Sequence, residues 1–417
     1  MTDPQLARRL GLADAVLIGL GSMIGAGVFS AFAPAATAAG AGLLIGLAIA
    51  AAVAYCNATA SAQLAAQYPV SGGTYVYGRE RLGDWWGFLA GWGFVVGKTA
   101  SCAAMALTFA AYAVPAAWQR PAAVAAVVAL AVVNYRGITR TALLTRVIVT
   151  VVLLALTVAV VAGLSAGTPG TAGLFAEGSE PPGPYEVLLS AGLRFFAFAG
   201  YARIATMGEE VREPRRTIPR AIVTALLIAV AVYAVVAVTL LLVLGPSRLA
   251  TSRAPMSEVV AVGGWAWAVP VVAVGASAAA LGALLALIAG VGRTTLAMAR
   301  RADLPPWLAA VHPRYEVPHR AEVAVAVVVS VLVLTVDLRD AIGFSSFGVL
   351  LYYLIANLSA FTQPPEQRRF PRWLQVVGAA GCLLLVATLP WRAVLAGLLV
   401  YAVGIAYRAS RLALARR

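Results

Sequence analysis

Lys98 is the only lysine in the sequence, and it sits in the middle of the apolar run GWGFVVGKTASCAAM. A charge at bilayer depth costs about 2.5–3.5 kcal/mol on insertion scales, which makes such a residue a functional candidate. Two chemistries suit it: a titration that follows a working cycle, or a fixed positive charge. A structural lysine bonded to carbonyls of a broken helix is the plainer reading. Arg194 and Arg203 are the other cations placed within spans and not counted to the segments that flank them, on either side of the FAFAG stretch. They are expected to snorkel toward opposite surfaces, with Arg203 paired to a loop carboxylate. No acidic residue lies in the core of an apolar run, and no HExxH, carboxylate pair or Ser-His arrangement occurs inside one. Covalent or hydrolytic chemistry within a membrane therefore has no carrier here, and an enzyme is not expected. His312 and His319 share a polar loop, while Cys56, Cys102 and Cys382 lie in separate apolar runs. Neither spacing suits a metal site or a disulfide framework, so no metal or cofactor is expected.

The elements that must position these residues follow from composition. Of the 417 residues, 61% are hydrophobic and 12% charged, against roughly 25% charged in soluble domains. That balance excludes an ordinary soluble protein. A net charge of +14 could suggest nucleic acid, but the basic residues cluster between apolar runs, which is a topology pattern. Runs bounded by charges, Pro or Gly fall at about 13–38, 41–65, 85–114, 118–135, 141–164, 187–207, 218–244, 265–298, 323–337, 341–361, 374–389 and 393–407. They predict an all-α polytopic membrane protein of about twelve transmembrane helices, with the fourth and ninth runs the shortest fits. The first run continues past the length of a signal peptide with no cleavage pattern, so it is expected to stay as a span. With a cytoplasmic N-terminus, 23 of the 31 basic residues fall in inside segments and 5 in outside ones. Both termini are therefore expected in the cytoplasm.

Two runs carry interruptions. The first contains GSMIGAGVFS, in which Gly21, Gly25 and Gly27 each cost about 1 kcal/mol relative to Ala in a helix. Glycines four apart also let helices approach closely, and that packing reading stays open. The sixth run, FFAFAGYARIATMGEE, places Gly200 and Arg203 mid-run. Paired interruptions in matching positions of two halves point to a transporter with inverted repeats. Unwound backbone at membrane depth must find partners in protein or in a cavity. Free amides after the first break suit a carboxylate, and carbonyls near both breaks suit an ammonium, so one zwitterion would satisfy both.

GSMIGAGVF in the first run, SGGTYVYGRERLG, NYRG, FFAFAGY followed by EEVREPRRTIPRAI, and RTTLAMARRADLP occur in this order. The set resembles the amino acid-polyamine-organocation (APC) superfamily of permeases, over Leu10 to about Phe361. The resemblance implies two inverted five-helix repeats, residues 10–165 and 185–362, with helices 1 and 6 broken, and a final helix pair and tail over 363–417. It also implies a secondary transporter that works by alternating access, with the substrate amino acid held at Met23, Ile24, Gly25, Ala26 and Gly27 and at Phe196, Ala197, Phe198, Ala199 and Gly200. Phe198 or Phe196 resembles the aromatic that gates the site from outside. Glu209 and Glu210, with Arg203 and the arginines that follow, are expected to form a gating or structural latch. Gly72 and Gly73 of SGGTY, which lacks the following Lys of a phosphate-binding loop, are read as a flexible element near the inner gate. Asn57-Ala58-Thr59 fits a glycosylation acceptor but lies inside the second span.

The sequence also departs from the family pattern. Counting from Gly137 places Val152 where several proton-coupled relatives carry Lys, so Lys98 is the candidate for the missing charge. The eighth run offers only Ser277 before Thr294 and Thr295, which gives little support to sodium. Protons or substrate exchange are then the favoured couplings. Without a buried carboxylate, neutral amino acids are favoured over cationic amino acids or polyamines. A channel would need a continuous polar lining or a charge ring, and none is seen. The partners are a small amino acid and the bilayer, with no nucleic acid. High Ala, Val and Arg usage suggests a GC-rich bacterium and its inner membrane.

Overall fold

The computed structural model describes residues 10–25, 27–70, 72–137, 142–165, 181–208 and 210–415. Among the described residues each of the twelve apolar runs becomes a helix or a series of helical pieces, and there is no strand beyond one bridge between Leu10 and Val211. Ten of the helices are long and apolar enough to cross a membrane. The other two, His319–Thr335 and Arg372–Thr388, have 17 residues each. At 1.5 Å per residue they reach about 25 Å, slightly less than a hydrocarbon core. The ninth run is thus as short as its sequence implies, whereas the fourth extends to Ala116–Tyr135 and is long enough.

Span 1 is divided into Leu12–Met23, Gly27–Ser30 and Phe32–Ala39, and span 6 runs as Pro184–Phe198, a tight turn at Ala199–Tyr201, and Ala202–Ala205. Span 3 (Asp84–Ala113) packs on span 8 (Val269–Arg300) and span 10 (Leu338–Phe361), while span 2 (Leu43–Gln67) packs on spans 6, 7 and 10. Span 7 begins at Pro214, where Pro in the first turn leaves no intrahelical donor unmet, and its helical path is broken at Gly245 with φ 70°. The start of span 1 is tied to the segment after span 6, because Leu10 N–H donates to the Glu210 carbonyl and Arg212 N–H donates to that of Leu10.

Buried polar groups bind spans 2 and 10 together. Asn357 donates to Asn57 Oδ1 at 2.6 Å and Gln363 to Gln67 Oε1 at 2.6 Å. Asn57 is fully buried, as expected for an acceptor motif lying inside a span. Amides in low dielectric need such partners, and pairing them across two helices fixes the register of both.

Candidate functional site

The two broken spans cross backbone on backbone. A Cβ on Gly200 would fall on the Ser22 carbonyl and come within 2.6 Å of the Met23 nitrogen, and one on Gly27 would lie 2.8 Å from the Ala197 Cα. Only glycine permits that approach. Gly21 and Gly25 instead face Val149 and Ala283 at 3.0 Å, so the close-packing reading holds for them. In span 1 the helix stops at Ile24, whose N–H still donates to the Leu20 carbonyl, and resumes at Gly27. In span 6 the interruption is a tightened 3₁₀ turn, a form that often marks a hinge or strain inside a helix.

Side chains from distant spans hold the carbonyls at these breaks. The Tyr233 hydroxyl lies 2.6 Å from the Met23 carbonyl and 3.0 Å from that of Ala197, so its single proton serves one break or the other. The Ala199 carbonyl accepts from Lys98 Nζ at 3.3 Å and from the Tyr353 hydroxyl at 3.1 Å. Both lone pairs of the Ala199 carbonyl are therefore engaged by protein donors, whereas the Met23 and Ala197 carbonyls share the one Tyr233 proton and keep lone pairs for a solute. Lys98 is buried and is held by span-6 backbone, which is the geometry of the plainer reading and leaves its working role open to test.

A cavity of about 180 Å³ begins at the crossing, several times the ~30 Å³ share of a water molecule. Its deep wall includes Ser22, Lys98, Ser101, Phe196, Ala199 and Gly200, and it extends past Arg203, Thr206, Glu210, Arg293 and Thr294 toward Gly72 and Tyr75. On the other side of the breaks the packing is closed. Phe198 meets Tyr233 edge-on at 5.1 Å, Phe29 meets Tyr112 at 5.6 Å, and the Tyr112 hydroxyl donates to the Phe29 carbonyl. The cavity thus communicates with one face of the bundle and is sealed from the other by aromatic layers.

Among the residues singled out in the sequence, Phe196, Ala199, Gly200, Lys98, Arg203 and Glu210 line this cavity. Met23, Ile24, Gly25, Gly27, Ala197 and Phe198 form the buried crossing behind it. Ala26 and Glu209 lie outside the described residues. Of the two aromatics considered for gating, Phe196 faces the cavity and Phe198 packs away from it. Arg194 reaches no surface, contrary to the snorkelling expected of it. It is fully buried, with its guanidinium 3.6 Å from the Phe32 ring centroid and 5.4 Å from that of Tyr233. Stacking on aromatic faces offers a partial substitute for water. The carboxylate expected for Arg203 is not within ion-pair distance among the described residues, although Glu210 and Arg293 are near enough to act on its charge.

A buried ionic junction under the cavity wall had no counterpart in the sequence pattern. Asp303 accepts from Tyr75 at 2.8 Å and lies 3.1 Å from Arg79 and 2.6 Å from Arg408. Arg408 is itself stacked over Trp85 and Phe88. Burial, followed by the neighbouring Asp303, pushes the Tyr75 hydroxyl well above its ordinary range, so it stays a donor. The latch foreseen among Glu209, Glu210 and the arginines after them shows in the described residues only an exposed Arg216–Glu213 contact at 4.0 Å.

An all-α bundle with ten membrane-length helices among the described residues, around a cavity at two broken spans, is the architecture of a polytopic membrane transporter. A model of the amino acid permease family matches residues 14–410, and the chain belongs to that family. It is 61% identical over 413 residues, 99% of this chain and 93% of the other, to an uncharacterized transporter of Mycobacterium tuberculosis. It is 25% identical over 421 residues to the branched-chain amino acid permease BcaP of Bacillus subtilis, covering 93% and 90% of the two chains. With the chloroplastic cationic amino acid transporter 7 of Arabidopsis thaliana the identity is 29% over 395 residues, covering 87% and 66%.

Proposed function

We propose that this permease is a secondary active transporter that moves neutral amino acids by alternating access, driven by protons or by exchange. The observation that carries the reading is the cavity ending on the Gly200–Ser22 crossing, where backbone of both broken spans meets a solute-sized space. A zwitterion there would use the remaining lone pairs of the break carbonyls for its ammonium and the cationic wall for its carboxylate. Alternating access would then consist of opening the aromatic layers around Phe198 and Tyr233 while the wall at Tyr75 and Gly72 closes. On this reading the two halves are inverted repeats, and the site is built from Met23 to Gly27 and Phe196 to Gly200.

The positive-inside bias supports cytoplasmic termini, with the cavity open to the cytoplasm and the protein in a bacterial plasma membrane. Lys98 supports a coupling role because loss of its charge would weaken its tie to Ala199 and loosen the hinge. A cationic amino acid carrier is the second reading, favoured by the name of the Arabidopsis relative. It is opposed by Lys98, Arg203 and Arg293 facing one described carboxylate, Glu210, in the cavity. Thermal unfolding of the purified protein in detergent tests the site. A ligand at 100 times its Kd adds about 2.7 kcal/mol, so neutral amino acids should raise Tm and polyamines should not. Stabilisation by polyamines alone would contradict the reading.

A further inference from the structure

Outside the cavity on this face, some arginines have carboxylate partners: Arg79 has Asp84 and Asp303, Arg408 has Asp303, and Arg146 has Asp14. Arg203 and Arg293 are different. Both line the cavity, and neither has an ion pair within 4.0 Å among the described residues. Each is close enough for its charge to bear on the other, with Glu210 the carboxylate that acts on Arg203 and buried Glu322, packed against Gly292, the one within reach of Arg293. Arg203 is half-buried on span 6, one helical turn past Gly200, and Arg293 is exposed on span 8. Two like charges from different spans therefore face the same narrow space, and neither is in direct contact with a carboxylate among the described residues. Deeper in the same space, Lys98 adds a third cation.

We propose that Arg203 and Arg293 are specificity-determining residues of this permease, forming a charge filter that rejects amino acids with a cationic side chain. The inference rests on the amino acid permease reading and deepens it by naming the residues that set the substrate charge. A cavity with low-dielectric walls focuses the field of the charges that line it, and discrimination is achieved as readily by building repulsion against the wrong solute as by attracting the right one. A neutral amino acid carries no net charge into this field and presents a carboxylate to it. Lysine carries the same carboxylate plus a second ammonium, which must pass two guanidiniums where the cavity lining offers one described carboxylate, Glu210. Arginines that served only to orient the chain in the membrane could stand anywhere in the inside loops, whereas these two are placed on the wall of the solute path.

The test is competition in proteoliposomes. Uptake of the labelled neutral amino acid that the wild type takes up fastest is inhibited by L-norleucine or by L-lysine, which share a straight-chain side chain and differ in its terminal ammonium. The wild type should need about tenfold more lysine than norleucine for half inhibition. Arg203→Gln and Arg293→Gln should each shrink that ratio severalfold, Arg203→Lys should keep it, and high salt should weaken it in the wild type. Arg293→Gln carries the test if Arg203→Gln does not fold, since Arg293 is exposed. Equal inhibition by the two competitors in the wild type, or an unchanged ratio in the glutamine variants that transport, would overturn the filter while leaving the permease reading intact. A wild type that takes up no amino acid would instead overturn the permease reading and the filter with it.

Discussion

Gly200 shows how much function can depend on one missing side chain, because its Cα hydrogen occupies the only space between the turn in span 6 and the backbone of Ser22 and Met23. Gly200→Ala must push two backbones apart, and overpacking of this kind costs about 1–3 kcal/mol. A lowered Tm and lost uptake are expected. Gly11→Ala, whose Cβ would meet only Asp14 Oδ2 at 3.9 Å, should change neither. Lys98 belongs to the same crossing. If its charge drives coupling, Lys98→Met should flatten the dependence of uptake on pH; normal rates with an unchanged pH profile would leave it a structural tie to Ala199. Sequence made the glycines and the lysine visible because each is locally out of place in an apolar run. Tyr233 and Tyr353, which hold the break carbonyls, gave no such signal. A tyrosine in an apolar helix is unremarkable until the fold brings its hydroxyl to a carbonyl from another span.

At the scale of elements, Asp303 fastens four parts of the chain. Tyr75 and Arg79 come from the Gly73–Leu82 helix, Arg408 from the last span, and the aromatic shelf for Arg408 from the start of span 3. Asp303→Asn leaves the nearly fully buried Arg408 uncompensated. Removing one member of a buried pair costs about 3–5 kcal/mol, so a large fall in Tm is expected. Arg79→Gln should cost less, because Arg79 is only one of three partners of Asp303 and also shares Asp84, which is exposed. Near-equal losses in the two variants would show that Asp303 does not depend on Arg408. The run RTTLAMARRADLP was recognisable as part of a family resemblance, yet its ionic role was not. The partners lie more than a hundred residues away on either side, and no local spacing records that contact. The broken form of spans 1 and 6 was legible for the opposite reason, since helix-weakening residues act where they stand.

For the whole molecule, the order of the apolar helices could be read from the sequence because each apolar run is its own element; ten of the described helices are long and apolar enough to cross a membrane against the twelve expected, and the ninth run's shortness survived into a 17-residue helix. The direction of the cavity could not, because it depends on which layers happen to be packed. The topology makes a separate prediction. Cys56, Cys102 and Cys382 are buried, so a cysteine placed at an exposed loop should dominate labelling by an impermeant thiol reagent. Ala117→Cys should react from outside intact cells and Arg314→Cys only after the membrane is opened. The reverse pattern would invert the assigned orientation. The central claim is that this chain carries amino acids, and the most direct measurement is uptake of a panel of labelled amino acids and polyamines into proteoliposomes holding the purified protein, with an inward proton gradient and no sodium. The account predicts saturable uptake of neutral amino acids, either concentrative and abolished by a protonophore or dependent on vesicles preloaded with an amino acid. Uptake of no amino acid under either condition would contradict it.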